Sequence, residues 1–198
     1  DCTAATRVYV HEDIYETFVR RLVEKTKRIV IGDPLNEKTD MGPLISKKQL
    51  ERTENYVQAG VAEGAKLVYG GKRPAHLKKG FYFEPTIFTN VSQDMKICRE
   101  EIFGPVLSVS TFKTVDEVIE KANDVIYCLA ASVWGKDITT IFKVTNALRF
   151  GTVWINEHGI LNSETPHGGY KQSGFGKDLS LYSLEEYTQI KHIYVDLT

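Results

Sequence analysis

The chain has 198 residues, 42% of them hydrophobic, enough to bury one sizeable core in a single domain. Its 25 basic and 26 acidic residues leave a net charge of −1, which argues against nucleic acid or an anionic membrane as partner. Cys2, Cys98 and Cys128 are odd in number and widely spaced, which argues against a disulfide scaffold and for a reducing compartment, so cytoplasm is the expected address.

Asp1-Cys2-Thr3-Ala4-Ala5 sets a cysteine before three small residues, on backbone able to turn tightly. A short helical turn there would aim free N–H groups at the sulfur and favour a nucleophilic thiolate. A small buried hydrophobe is the plain alternative, and Cys2 alone leaves both open. Arg7 to His11 alternates as a strand. Asp13 suits a helix cap, Ile14, Phe18, Leu22 and Ile29 recur at helical spacing, and Gly32-Asp33-Pro34 would end that helix. Ser46 can cap a second helix through about Glu63, with Leu50, Val57 and Val61 on its buried stripe and Gln49 and Arg52 sharing a face.

Ala65 to Tyr69 reads as a short strand closed by Gly70-Gly71, followed by a polar loop to Gly80. Phe81 to Phe88 is extended, with Pro85 placing it at an edge or bulge. In Glu101-Ile102-Phe103-Gly104-Pro105, Gly104 lets backbone approach a ligand and Pro105 fixes the turn that presents Glu101; Glu100 reads as a surface charge. Val106 to Phe112 predicts a strand, Val115 to Ala122 a helix, and Leu129 to Trp134 a strand of a buried parallel sheet. Ile138 to Leu148 predicts a helix, Gly151 to Asn156 a strand, and Glu185 to Val195 a two-faced terminal strand. The glycine-rich run from His167 to Gly176 lacks a strand–glycine–helix phosphate fingerprint and reads as a tight backbone passage. The five histidines lack metal-ligand spacing, so no metal site is expected. Alternating strands and helices define an α/β fold with a parallel sheet.

Asp1-Cys2-Thr3-Ala4-Ala5-Thr6-Arg7 resembles the nucleophile segment of the aldehyde dehydrogenase superfamily, and Glu100 to Val106 resembles its Glu-x-Phe-Gly-Pro cofactor motif. Gly32-Asp33-Pro34, Met41-Gly42-Pro43-Leu44, Glu84-Pro85-Thr86 and Pro166 to Gly174 match the same family. The resemblance implies a Rossmann-like catalytic domain over residues 1–186 and an intersubunit strand over 187–198, in a homodimer or homotetramer. Family chains are more than twice as long and carry the nucleophile past their middle, so a separate dinucleotide-binding domain is expected upstream. The implied reaction is NAD- or NADP-dependent oxidation of an aldehyde through a thioester on Cys2. Glu101 would take the nicotinamide ribose hydroxyls, Phe103 and Leu129 would pack near the nicotinamide, and Gln49 and Arg52 would lean toward the adenosine-side ribose. Cys128 stands where the family commonly has glycine. The family's general-base glutamate and oxyanion asparagine lie upstream of the nucleophile, so the 198 residues alone are expected to be inactive.

For the substrate, the implied contacts are Asp1, Thr3, Leu161, Glu164 and His167. The Ser-Glu-x-Pro-His-Gly-Gly and Gly-Lys-Asp-x-Ser-Leu-Tyr runs look like the γ-aminobutyraldehyde branch. A loop from Asn156 to His167 that carries Glu157 and Glu164 without Lys or Arg suits a cationic ω-aminoaldehyde. Betaine aldehyde and general aliphatic aldehydes are the alternatives. Two readings of other classes are a cysteine hydrolase pairing Cys2 with His158 or His167, and a non-catalytic oligomerisation module.

Overall fold

The computed structural model describes residues 1–198, which form two compact units, Asp1–Lys121 and Ala122–Thr198. In the first unit, β1 (Arg7–His11), β4 (Val106–Phe112), β3 (Thr86–Thr89) and β2 (Lys66–Tyr69) lie in that order in one sheet. The pairs β1/β4 and β4/β3 are parallel, with Arg7 opposite Ser108 and Thr86 opposite Val106, while β2 runs antiparallel to β3. All four residues of β3 are buried. Because alternate strand residues face opposite ways, Phe88 joins one core and Ile87 another. Phe88 packs with Leu50, Tyr56 and Val57 of α2 (Lys47–Ala62) and with Ile97 and Cys98 of α3 (Lys96–Arg99). Ile87, Val10 and Val109 pack against α1 (Glu12–Thr26).

The parallel pairing positions the site. Strands that run the same way are entered from the same end, so the segment before β1, which carries Cys2, and the segment before β4, which carries Glu101, arrive together. Phe83, just before the parallel β3, arrives there too.

Several local expectations are corrected. Helix α1 starts at Glu12, and His11 rather than Asp13 caps it, its Nδ1 accepting from the Asp13 amide at 3.3 Å. The helix stops at Thr26, well before Gly32-Asp33-Pro34. Its packed stripe is Tyr15, Val19, Leu22 and Val23, while Ile14 is 57% exposed. A stripe offset by one residue is equally apolar, and only the sheet beneath decides which of the two is buried. Helix α2 is capped as expected, Ser46 Oγ accepting from the Gln49 amide at 3.2 Å, although Val61 is exposed. Pro85 precedes an interior strand, and the irregularity falls across from it between Leu67 and Tyr69. Helix α4 (Val115–Asn123) follows β4 as expected.

In the second unit, β5 (Ala130–Val133) and β6 (Thr152–Ile155) pair in parallel, joined by α5 (Ile138–Ala147), whose first turn is capped by Asp137. The expected parallel strand is there, but it stops at Val133, both strands are half-buried rather than buried, and Trp134 lies beyond β5 and is 64% exposed. Residues Ser180–Glu186 form α6, which corrects the terminal strand expected from Glu185. Residues 187–198 join neither sheet of this chain. No helix is long and apolar enough to cross a membrane.

Candidate functional site

Cys2 is an exposed free thiol on a hydrogen-bonded turn rather than a helical one. The Ala4 amide donates to the Asp1 carbonyl at 3.3 Å. Asp1 Oδ1 accepts from the Thr3 amide at 2.8 Å and from Thr3 Oγ1 at 2.7 Å. Thr3 is therefore buried into the turn, whereas Asp1, Cys2, Ala4 and Thr6 line a cavity. Glu101, Phe103, Gly104 and Pro105 line the same cavity, whose volume is about 340 Å³. Met41 to Leu44 and Phe83 complete its wall. The motif Met41-Gly42-Pro43-Leu44 reads as no more than a turn in sequence; its role as a wall comes from tertiary contact, with the Leu44 amide bonded to the Phe81 carbonyl at 3.0 Å.

The turn that presents Glu101 and Phe103 is held carbonyl by carbonyl. Gln49 Nε2 donates to the carbonyls of Ile102 at 2.9 Å and Phe103 at 2.7 Å. Arg52 Nε donates to Ile102 O at 3.2 Å, and Arg52 Nη2 donates to Glu101 O. The Val106 amide takes Gly104 O and the Thr86 amide takes Pro105 O, each at 2.7 Å. Phe103 has φ +59°, a left-handed conformation costing of order 1–3 kcal/mol that these bonds offset. Gly104 is required by close approach: a Cβ there would lie 2.4 Å from Thr53 Oγ1 of α2. Gln49 and Arg52 thus share a face as expected, and that face meets the backbone of the turn.

Behind them, Arg52 Nη2 also donates to Tyr56 Oη at 3.2 Å, and Tyr56 Oη donates to Glu100 Oε2 at 2.6 Å. Glu100 is more than the surface charge expected of it. The signal for Tyr56 was available in its spacing, since residues 49, 52 and 56 lie on one helical face.

Leu129, Leu161, Glu164 and His167 belong to the second unit. Leu129 is half-buried beside Gly169, and Leu161 and Glu164 lie on an exposed loop. His167 exchanges backbone hydrogen bonds with Asp178 at 2.8 and 2.7 Å, and its Nδ1 meets Thr152 Oγ1 at 3.1 Å. The His158 ring packs edge-on against Trp154. The glycine-rich passage is tight: a Cβ on Gly151 would fall 1.7 Å from Gly168 O. Cys128 is buried, outside the left-handed region, and its thiol donates to Tyr170 O. No group of histidines, cysteines and carboxylates has the arrangement of a metal site.

The aldehyde dehydrogenase family model matches residues 1–193, and the chain belongs to that family. It is 50% identical over 195 residues to a betaine aldehyde dehydrogenase of Bacillus subtilis (strain 168), covering 98% of this chain and 40% of that protein. It is 48% identical over 196 residues to human retinal dehydrogenase 2, covering 99% and 38% respectively. Among solved structures, an NAD+ complex of Bacillus cereus aldehyde dehydrogenase superposes with a TM-score of 0.96 at 47% identity, covering all of this chain and 40% of that one. The chain spans about two fifths of the length of the relatives it matches.

Proposed function

We propose that this chain is the nucleophile-bearing catalytic part of an NAD(P)-dependent aldehyde dehydrogenase. The observation that carries the reading is that Cys2, Glu101 and Phe103 line one cavity. The Cys2 thiolate attacks the aldehyde carbonyl, and the Cys2 backbone N–H is one donor to the resulting oxyanion. Bound NAD(P) supplies the hydride acceptor. A carboxylate can accept from two ribose hydroxyls and an exposed aromatic ring can pack on the nicotinamide side, so Glu101 and the half-exposed Phe103 fit that group. The general base and the second oxyanion donor come from outside these residues, and losing one such donor alone costs about 10²–10³ in rate. The isolated 198 residues are therefore inactive in this reading.

For the substrate we propose a cationic aldehyde, with an ω-aminoaldehyde such as γ-aminobutyraldehyde first. Glu157 and Glu164 lie exposed on a loop of the second unit without Lys or Arg, and, separately, within the first unit Asp1 is a carboxylate beside Cys2. Betaine aldehyde is the second reading, favoured by relatives that bear that name. Retinal dehydrogenase 2 is nearly as similar, so identity alone does not choose. Three free cysteines support a cytoplasmic address.

The test is made in the full-length polypeptide. Aldehyde-dependent NAD(P)H formation should vanish in Cys2→Ala, and kcat/KM should be higher for 4-aminobutanal and betaine aldehyde than for hexanal and succinate semialdehyde. Turnover that survives Cys2→Ala overturns the nucleophile. A preference for succinate semialdehyde overturns the charge argument.

A further inference from the structure

We propose that Gln49, Arg52 and Tyr56 are positioning residues that set the Glu101–Phe103 turn in its cofactor-ready shape, an inference that rests on the NAD(P) reading above. The three lie on one face of α2, and the donors of Gln49 and Arg52 converge on three consecutive carbonyls, those of Glu101, Ile102 and Phe103. Arg52 is itself held from behind. Its guanidinium carbon lies 4.9 Å from the centre of the Tyr56 ring, and Tyr56 Oη links Arg52 to the Glu100 carboxylate. The line Glu100–Tyr56–Arg52–Glu101 thus begins and ends on adjacent residues of one segment and closes a loop through α2.

Three features make this more than incidental packing. Phe103 sits in the left-handed region, a conformation that a phenylalanine keeps only when its surroundings impose it. Its carbonyl takes the shortest of the Gln49 bonds, at 2.7 Å. Both side chains that the turn presents, Glu101 and Phe103, line the cavity with Cys2. A donor to a carbonyl in this turn therefore fixes where the carboxylate and the ring point. Gln49 and Arg52 act on the cofactor through Glu101 and Phe103 rather than by reaching the adenosine-side ribose.

The full-length protein tests this without turnover. The amides of Thr86 and Val106 report on the far side of the turn, since they donate to Pro105 O and Gly104 O. In ligand-free protein, the near-isosteric Gln49→Glu, which replaces a donor with an acceptor, and Arg52→Ala should each speed hydrogen exchange at Thr86 and Val106 about tenfold, the scale of one or two hydrogen bonds lost. The dissociation constant for NAD(P), by calorimetry, should rise in step, and Arg52→Lys should recover part of both. Arg73→Ala breaks an exposed ion pair with Glu54 on the same helix and should change neither. Weaker cofactor binding with unchanged exchange means direct ribose contact and overturns the proposal. Exchange accelerated equally across the whole sheet means general destabilisation and also overturns it. Wild-type protein that binds neither NAD nor NADP overturns the dehydrogenase reading itself, and does so visibly apart from the exchange result.

Discussion

Asp1 Oδ1 accepts both the amide and the hydroxyl of Thr3, at 2.8 and 2.7 Å, so one carboxylate oxygen shapes the turn that carries Cys2. An amide oxygen can accept the same two bonds. Asp1→Asn should therefore stay within about 0.5 kcal/mol of wild type, whereas Asp1→Ala removes both bonds to the buried Thr3 and should cost about 1 kcal/mol. Urea unfolding reads the difference, and equal midpoints for the two variants would remove Asp1 from this role.

Glu101→Gln, in the full-length polypeptide, should slow the pre-steady-state burst of NAD(P)H more than it slows thioester hydrolysis. Glu101 orients the cofactor in the proposed reaction and does not touch the hydrolytic water. An unchanged burst with slower deacylation would reassign the residue.

Gly104→Ala drives a methyl group against Thr53 Oγ1, a side chain with no exposed surface and its own bond to Gln49 O at 2.9 Å. Overpacking there should cost about 1–3 kcal/mol. Adding Thr53→Ala frees part of the space, so a double-mutant cycle should return a favourable coupling of about 1 kcal/mol. Strict additivity would show that the two residues do not press on one another.

Burial pushes the Tyr9 phenol up to about 12; Arg7 opposes that shift, while Cys98 adds to it. The folded value lies above the unfolded one of about 10, so the neutral phenol stabilises the fold fully below pH 10, and that contribution is lost as pH rises from 10 to 12. Wild type should lose about 2 kcal/mol over this window in excess of Tyr9→Phe. Parallel pH profiles for the two proteins, followed by urea midpoint, would contradict it.

The last residues expose Ile190, Ile193, Tyr194, Val195 and Leu197, apolar side chains that cover nothing in their own chain. As the intersubunit strand that the family resemblance implies, they would join an edge elsewhere. Deleting 190–198 from the full-length polypeptide should shift light scattering to a smaller assembly, and an unchanged mass would refute the pairing.

Local signals were legible where one side chain decides the outcome. Ser46 announced the start of α2, the run from Val106 to Phe112 announced β4, and the two motifs around Cys2 and Glu101 named the family. They failed where neighbours decide. Ile14 and Phe18 form as good a stripe as Tyr15 and Val19, and the sheet buries the second. Glu185 and Glu186 begin an alternating run yet close a helix.

By itself, the sequence determined the chemistry on offer, a thiol on a tight turn and a carboxylate on a glycine-proline turn, because residue type and short-range backbone preference are local properties. Only the tertiary structure decided that the two meet. Cys2 and Glu101 are distant in the chain, and the parallel pairing of β1 with β4 delivers them to one cavity. Likewise, only the packing of α2 turned Gln49 and Arg52 onto the carbonyls of the Glu101–Phe103 turn, because hydrogen bonds across such separations depend on register and helix placement that no local pattern encodes.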